Sequence, residues 1–197
     1  MENIISYLRR TYDPTGIICY GSYCDGTQNE QSDFDALLLT DGGKYIHDTS
    51  VVDEIRLDVF VYPQDWDFAP EDMIQVYGGA VVLDDNGVAE KLMQQVQQYV
   101  DTFPKKTNEE RKELKSWCEK MLIRSKRGDA EGQYRSHWLL TDSLQIYCEM
   151  RDRFYFGPQK TLLRMKQDDP TGFALLIDAM ADRHLLDSWI QYIFANY

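Results

Sequence analysis

The sequence predicts an α+β fold, with a mixed sheet and flanking helices in the first half and an antiparallel helical bundle in the second. Short apolar runs bounded by turn residues, the mark of strands, all fall before residue 85, and beyond Thr107 only helical periodicity remains. Charge divides at the same place. Residues 1–103 hold 19 acidic against 5 basic side chains, residues 104–197 hold 14 against 16, and the net charge of −12 therefore sits in the first half. Pro104-Lys105-Lys106 reads as the linker, giving a sheet-bearing domain over 1–103 and a bundle over 107–197.

Residues 2–11 place Ile4, Ile5 and Leu8 at helical spacing, and Asp13-Pro14-Thr15-Gly16 breaks that helix. Gly16 to Tyr20 is a short apolar strand that runs into Gly21-Ser22, and Phe34 to Thr40 is a second buried strand turned by Asp41-Gly42-Gly43. Glu54 to Tyr62 alternates with period two. Ile55, Leu57, Val59 and Val61 share one face, Arg56, Asp58 and Phe60 the other, and Pro63 ends the run. Ala80 to Leu83 is a fourth strand, stopped by Asp84-Asp85-Asn86-Gly87, and Val88 to Phe103 follows as a helix with Leu92, Met93 and Val96 inward.

Thr107-Asn108-Glu109-Glu110 is a capping-box-like start to a helix running towards Arg127. A second long helix is predicted over 129–156, with Leu139, Leu140, Leu144, Tyr147 and Cys148 on its apolar face and Gly157-Pro158 as its stop. Helices over 158–165, 170–180 and 184–194 complete the bundle.

Composition narrows function. A chain that is 43% hydrophobic and 13% aromatic can build a core, and no apolar run approaches the length needed to span a bilayer. The N-terminus MENIISYLRR reads as a helix start and not a signal peptide, which points to the cytosol. Cys19, Cys24, Cys118 and Cys148 form no CxxC pair and, with three scattered histidines, give no zinc spacing; they read as reduced thiols. The acidity argues against a nucleic-acid track.

The chemistry concentrates in Tyr20-Gly21-Ser22-Tyr23-Cys24-Asp25-Gly26-Thr27, in Ser32-Asp33-Phe34-Asp35, and in Leu57-Asp58-Val59. Asp33 and Asp35 are two apart at the start of a strand, so their side chains leave one face, and an adjacent strand can bring Asp58 there. Three crowded carboxylates repel one another unless cations neutralise them, which points to one or two Mg²⁺ ions on Asp33, Asp35 and Asp58. Gly21 allows close backbone approach, and the Ser22 hydroxyl with the following amides can bind phosphate oxygens. Carboxylate-bound Mg²⁺ facing a phosphate cradle is hardware for phosphoryl or nucleotidyl transfer.

The order Gly21-Ser22, ten residues, Asp33-x-Asp35, then Asp58 in a later strand resembles the nucleotidyltransferase superfamily of DNA polymerase beta-like enzymes, most closely its kanamycin/aminoglycoside-type and minimal members. The motif covers residues 16–62, and the helical half looks like the bundle that accompanies such domains. Gly26 matches a glycine those enzymes carry between the two motifs, whereas Asp25 stands where a basic residue often precedes it. The resemblance implies a nucleotidyltransferase-fold sheet, triphosphate binding by Gly21 and Ser22, metal on Asp33 and Asp35, and Asp58 as third carboxylate.

In the helical half, Glu131 and Arg135 are an i, i+4 pair whose plain reading is a surface ion pair. The functional reading makes Asp129 or Glu131 the catalytic base and gives Arg135 or Lys160 to nucleotide phosphates, the bundle closing over the cleft. The expected activity is transfer of a nucleoside monophosphate, most simply AMP from ATP with Mg²⁺, to a hydroxyl of a small and cationic acceptor such as an aminoglycoside. Two alternatives stand beside it: an antitoxin-like enzyme that modifies a protein partner, and a silent nucleotide-binding module. A homodimer is left open.

Overall fold

The computed structural model describes residues 1–195, in two compact units, Met1–Thr102 and from Phe103 onward. In the first, helix α1 (Glu2–Tyr12) precedes strand β1 (Gly16–Tyr20), the single-turn helix α2 (Ser22–Asp25) and strands β2 (Phe34–Thr40), β3 (Ile46–Asp48), β4 (Val51–Val52) and β5 (Ile55–Pro63). A 3-10 segment (Pro70–Val76), strand β6 (Ala80–Asp84) and helix α3 (Val88–Asp101) complete it. The sheet order is β3-β5-β2-β1-β6, with β4 paired to β5.

β2 and β5 run parallel while every other pair is antiparallel. A parallel pair needs a crossover, and residues 41–54, carrying β3 and β4, supply it. Central strands are covered on both faces, which is why β2 reads as a continuous run; Phe34, Ala36, Leu37, Leu38 and Leu39 are all fully buried. One face packs Ile17, Leu38, Leu57 and Val59 against Ile4 and Leu8 of α1. The other packs Ile18, Leu37 and Leu39 against Met73 and Val76 of the 3-10 segment and Leu92 and Val96 of α3.

The second unit contains α4 (Asn108–Ser125), α5 (Ala130–Met150), α6 (Pro158–Asp168), α7 (Pro170–Ala181), a 3-10 turn (Arg183–Leu185) and α8 (Leu186–Ala195). The capping box predicted at Thr107 forms: the Glu110 amide donates to Thr107 Oγ1 at 3.2 Å, and the Thr107 amide donates to Glu110 Oε2 at 2.7 Å. Trp189 lies at the centre of the core, fully buried, its indole N–H donating to Ser143 Oγ at 2.8 Å. Asp169 accepts from Tyr147 and Tyr192 at 2.7 and 2.5 Å, and from the Gly172 amide at the start of α7.

Several element boundaries differ from the expectation. α5 stops at Met150, not at residue 156, because Arg111 of α4 reaches across to the Met150 carbonyl at 2.5 Å and to the Asp152 carboxylate, while Asp152 takes the left-handed backbone region. The chain turns there, and Gly157, also at positive φ, opens the next helix with Pro158 in its first turn. α4 ends at Ser125 and α3 at Asp101, each two residues early. β3, β4, α2 and both 3-10 segments are too short to impose a period on the sequence.

The four cysteines are free, three of them buried among apolar side chains. Burial pushes the Cys19 and Cys118 thiols up to about 12, so they remain protonated packing groups. No helix among the described residues is long and apolar enough to cross a membrane.

Candidate active site

The site is built at the ends of three neighbouring strands. In the parallel pair, Asp35 of β2 stands directly opposite Asp58 of β5, and across the antiparallel pair Asp35 faces Tyr20, the last residue of β1. Side chains opposite one another in adjacent strands leave the same face, so the two carboxylates project together. Asp33 lies two residues before Asp35, just outside β2, and its charge is felt there.

The electrostatic consequence is visible on Asp35. Burial first, then the negative charges of Asp58 and Asp33, raise its carboxyl to about 6. Burial first, then the charges of Asp35 and Asp58, also raise the Tyr20 phenol, keeping it neutral. A site that penalises its own negative charge in this way favours a cation, and the donors are hard oxygens of the kind Mg²⁺ prefers. Among the described residues no group of three His, Cys, Asp or Glu side chains is already drawn into one coordination sphere.

Gly21 links the carboxylates to the turn after β1. Its backbone, at φ 68° and ψ −159°, lies in a region open essentially to glycine alone. A Cβ at this position would stand 2.1 Å from Asp35 Oδ2, so only hydrogen lets the turn approach the carboxylate. The Gly21 carbonyl accepts from the Cys24 and Asp25 amides at 3.0 and 3.1 Å, winding α2 directly from the strand end. The Ser22 hydroxyl makes no hydrogen bond among the described residues.

Asp25, found where the resemblance leads one to expect a base, has a local task. Its Oδ1 accepts from the amide and the hydroxyl of Thr27, at 3.1 and 2.5 Å, and closes the turn around Gly26.

One participant was not legible in the sequence. His47 of β3 places Nε2 2.6 Å from Asp58 Oδ1, and its ring stacks on Phe60 with centroids 4.4 Å apart and planes 4° from parallel. Register explains it: His47 pairs with Phe60, two residues beyond Asp58 on the same face of β5. β3 has only three residues, so the sole signal was a histidine twelve residues after Asp35.

Gly21, Ser22, Asp33, Asp35 and Asp58 are thus brought to one end of one sheet. Glu131, Arg135 and Lys160 belong to the second unit. Glu131 accepts from Arg127 at 2.7 Å and from Arg135 at 2.6 and 2.9 Å. The hydrogen bonds from Arg135, then the charges of Arg127 and Arg135, hold its carboxyl below the usual range, which weakens it as a proton acceptor. Lys160 Nζ lies 5.6 Å above the Phe156 ring.

The model of the nucleotidyltransferase domain family matches residues 1–124. Among solved structures, a nucleotidyltransferase-like protein from Exiguobacterium sibiricum 255-15 is 15% identical, with 98% of this chain and 72% of that chain covered and a TM-score of 0.43. No curated protein matches the chain.

Proposed function

Since the chain belongs to the nucleotidyltransferase domain family and is a nucleotidyltransferase, we propose that it moves AMP from ATP onto a hydroxyl of a small cationic acceptor, with Mg²⁺ held by Asp33, Asp35 and Asp58. The observation that carries this reading is the Asp35–Asp58 pair with Gly21 seated against Asp35. A Mg²⁺ ion bound there would offset the mutual repulsion of the acids and align attacking and leaving oxygens on phosphorus.

The residues divide the work. Gly21 brings main chain within reach of the triphosphate, and the Ser22 hydroxyl donates to a phosphate oxygen. The acceptor oxygen forms the new bond to the α-phosphorus, the bond from that phosphorus to the bridging oxygen breaks, and pyrophosphate leaves. Asp58, one oxygen fixed by His47, offers its other oxygen to the acceptor hydroxyl and takes its proton. This role fits Asp58 better than Glu131, whose two arginine partners weaken it as a base. Arg135 is committed to Glu131. The surplus of acid over base in the first 103 residues favours a cationic acceptor.

The test is pyrophosphate release from each ribonucleoside triphosphate with Mg²⁺ and a panel of aminoglycoside and lincosamide acceptors, beside an Asp35→Asn control. Release that requires one acceptor and ATP, and is lost in the control, supports the reading. Release with a protein acceptor alone, or none with any acceptor, overturns it.

A further inference from the structure

We propose that the second unit carries a pocket for the phosphate group of a small molecule, formed by Lys126, Arg183 and His184 around the hydroxyl of Ser136. The end of α4, the start of α5, the 3-10 turn and the first turn of α8 enclose a cavity of about 320 Å³, lined by Leu122, Lys126, Ser136, Arg183, His184 and Asp187 among others. None of these residues belongs to the carboxylate site of the first unit.

Ser136 is the informative member. It is only 5% exposed, yet its hydroxyl has no hydrogen-bond partner among the described residues. Helical serines ordinarily satisfy themselves on a carbonyl one turn back. Ser125 and Ser143 do so, donating to Leu122 O at 2.7 Å and Leu140 O at 2.6 Å. No fully enclosed side-chain oxygen or nitrogen lacks a partner among the described residues, so the Ser136 oxygen opens onto the cavity and is not sealed in the core. A largely buried hydroxyl that faces a cavity can donate to a polar group entering it.

Charge selects the ligand. Lys126 is ion-paired with Asp187, but the Arg183 and His184 side chains have no partner among the described residues. Two permanent cations against one carboxylate make this a locally positive pocket on a chain of net charge −12. The donors arrive from three separate elements, which suits a tetrahedral anion with several oxygens better than a planar carboxylate. Arginine adds charge-assisted hydrogen bonds to phosphate. The volume is at the small end of ligand pockets and leaves room for a short hydroxylated body, whose hydroxyls Asp187 can accept from.

Isothermal titration of the full chain in EDTA with inorganic phosphate, glucose 6-phosphate and glucose tests this. The expected result is binding of the phosphate-bearing probes and none of glucose. Arg183→Gln should weaken binding roughly tenfold or more, the loss of charge-assisted hydrogen bonds. Ser136→Ala should weaken it roughly fivefold, and Asp35→Asn should leave it unchanged. If the ester binds more tightly than the ion, the ligand is a phosphomonoester; if they bind equally, it is free phosphate, and either result upholds the pocket. Absence of binding by both probes, indifference to Arg183→Gln, or loss in Asp35→Asn overturns it. Arg183 is exposed, so its variant keeps the fold and decides the matter even where Ser136→Ala alters packing.

Discussion

Replacing Asp35 by asparagine keeps the shape of the side chain and deletes the charge that its surroundings resist. Folding moves this carboxyl up to about 6, so the folded state holds the proton more tightly than the unfolded chain does. Its stabilising contribution is therefore fully present below the ordinary aspartate range and is lost as pH rises through about 6. Felt in full, the rise corresponds to about 3 kcal/mol. The carboxylate is partly open to solvent, and screening reduces the penalty at neutral pH to about 1–1.5 kcal/mol. In EDTA at pH 7.5, Asp35→Asn should accordingly be more stable than the parent by that amount, a rise in Tm of about 5 °C for a unit of this size. At pH 4 the two proteins should melt together. Thermal unfolding followed by circular dichroism across this range checks both ends. A variant less stable than the parent at pH 7.5, or an advantage that persists undiminished at pH 4, would refute the electrostatic reasoning.

Gly21→Ala should destabilise the first unit by about 1–3 kcal/mol, because the backbone region is open essentially to glycine and the new methyl meets Asp35; urea unfolding measures it, and transfer activity should vanish with it. Ser143→Ala strands the Trp189 indole N–H in a dry core and should cost about 1–3 kcal/mol, read from the denaturation midpoint. His47→Leu keeps an apolar side chain against Phe60 while removing the hydrogen bond to Asp58. It should lower the transfer rate roughly 10- to 100-fold, the usual effect of losing a partner that orients a site carboxylate; Tm should move little, and steady-state rates with and without the substitution decide it.

The acidic constellation was legible because strand periodicity is short-range information. Asp33 and Asp35 had to share a face, and Asp58 had to lie opposite the apolar residues of its own strand. The sequence could not say that Asp58 pairs with Asp35, since that depends on a parallel register set by a crossover of irregular chain. His47 was hidden for a related reason: its strand is three residues long, and only pairing with β5 turns it towards Asp58. The end of α5 was illegible because a side chain nearly forty residues earlier, Arg111, captures the carbonyl at which the helix stops. The capping box at Thr107 and the Glu131–Arg135 pair were readable, each being confined to one turn of helix.

Nucleotidyl transfer is followed most directly through the α-phosphate itself. ATP labelled at that phosphorus is incubated with the protein, Mg²⁺ and the acceptor panel, and label is sought in the acceptor after separation. Label is expected on one acceptor, stoichiometric with pyrophosphate and absent with Asp35→Asn. Label that remains with free nucleotide, or transfer that survives Asp35→Asn, would contradict it.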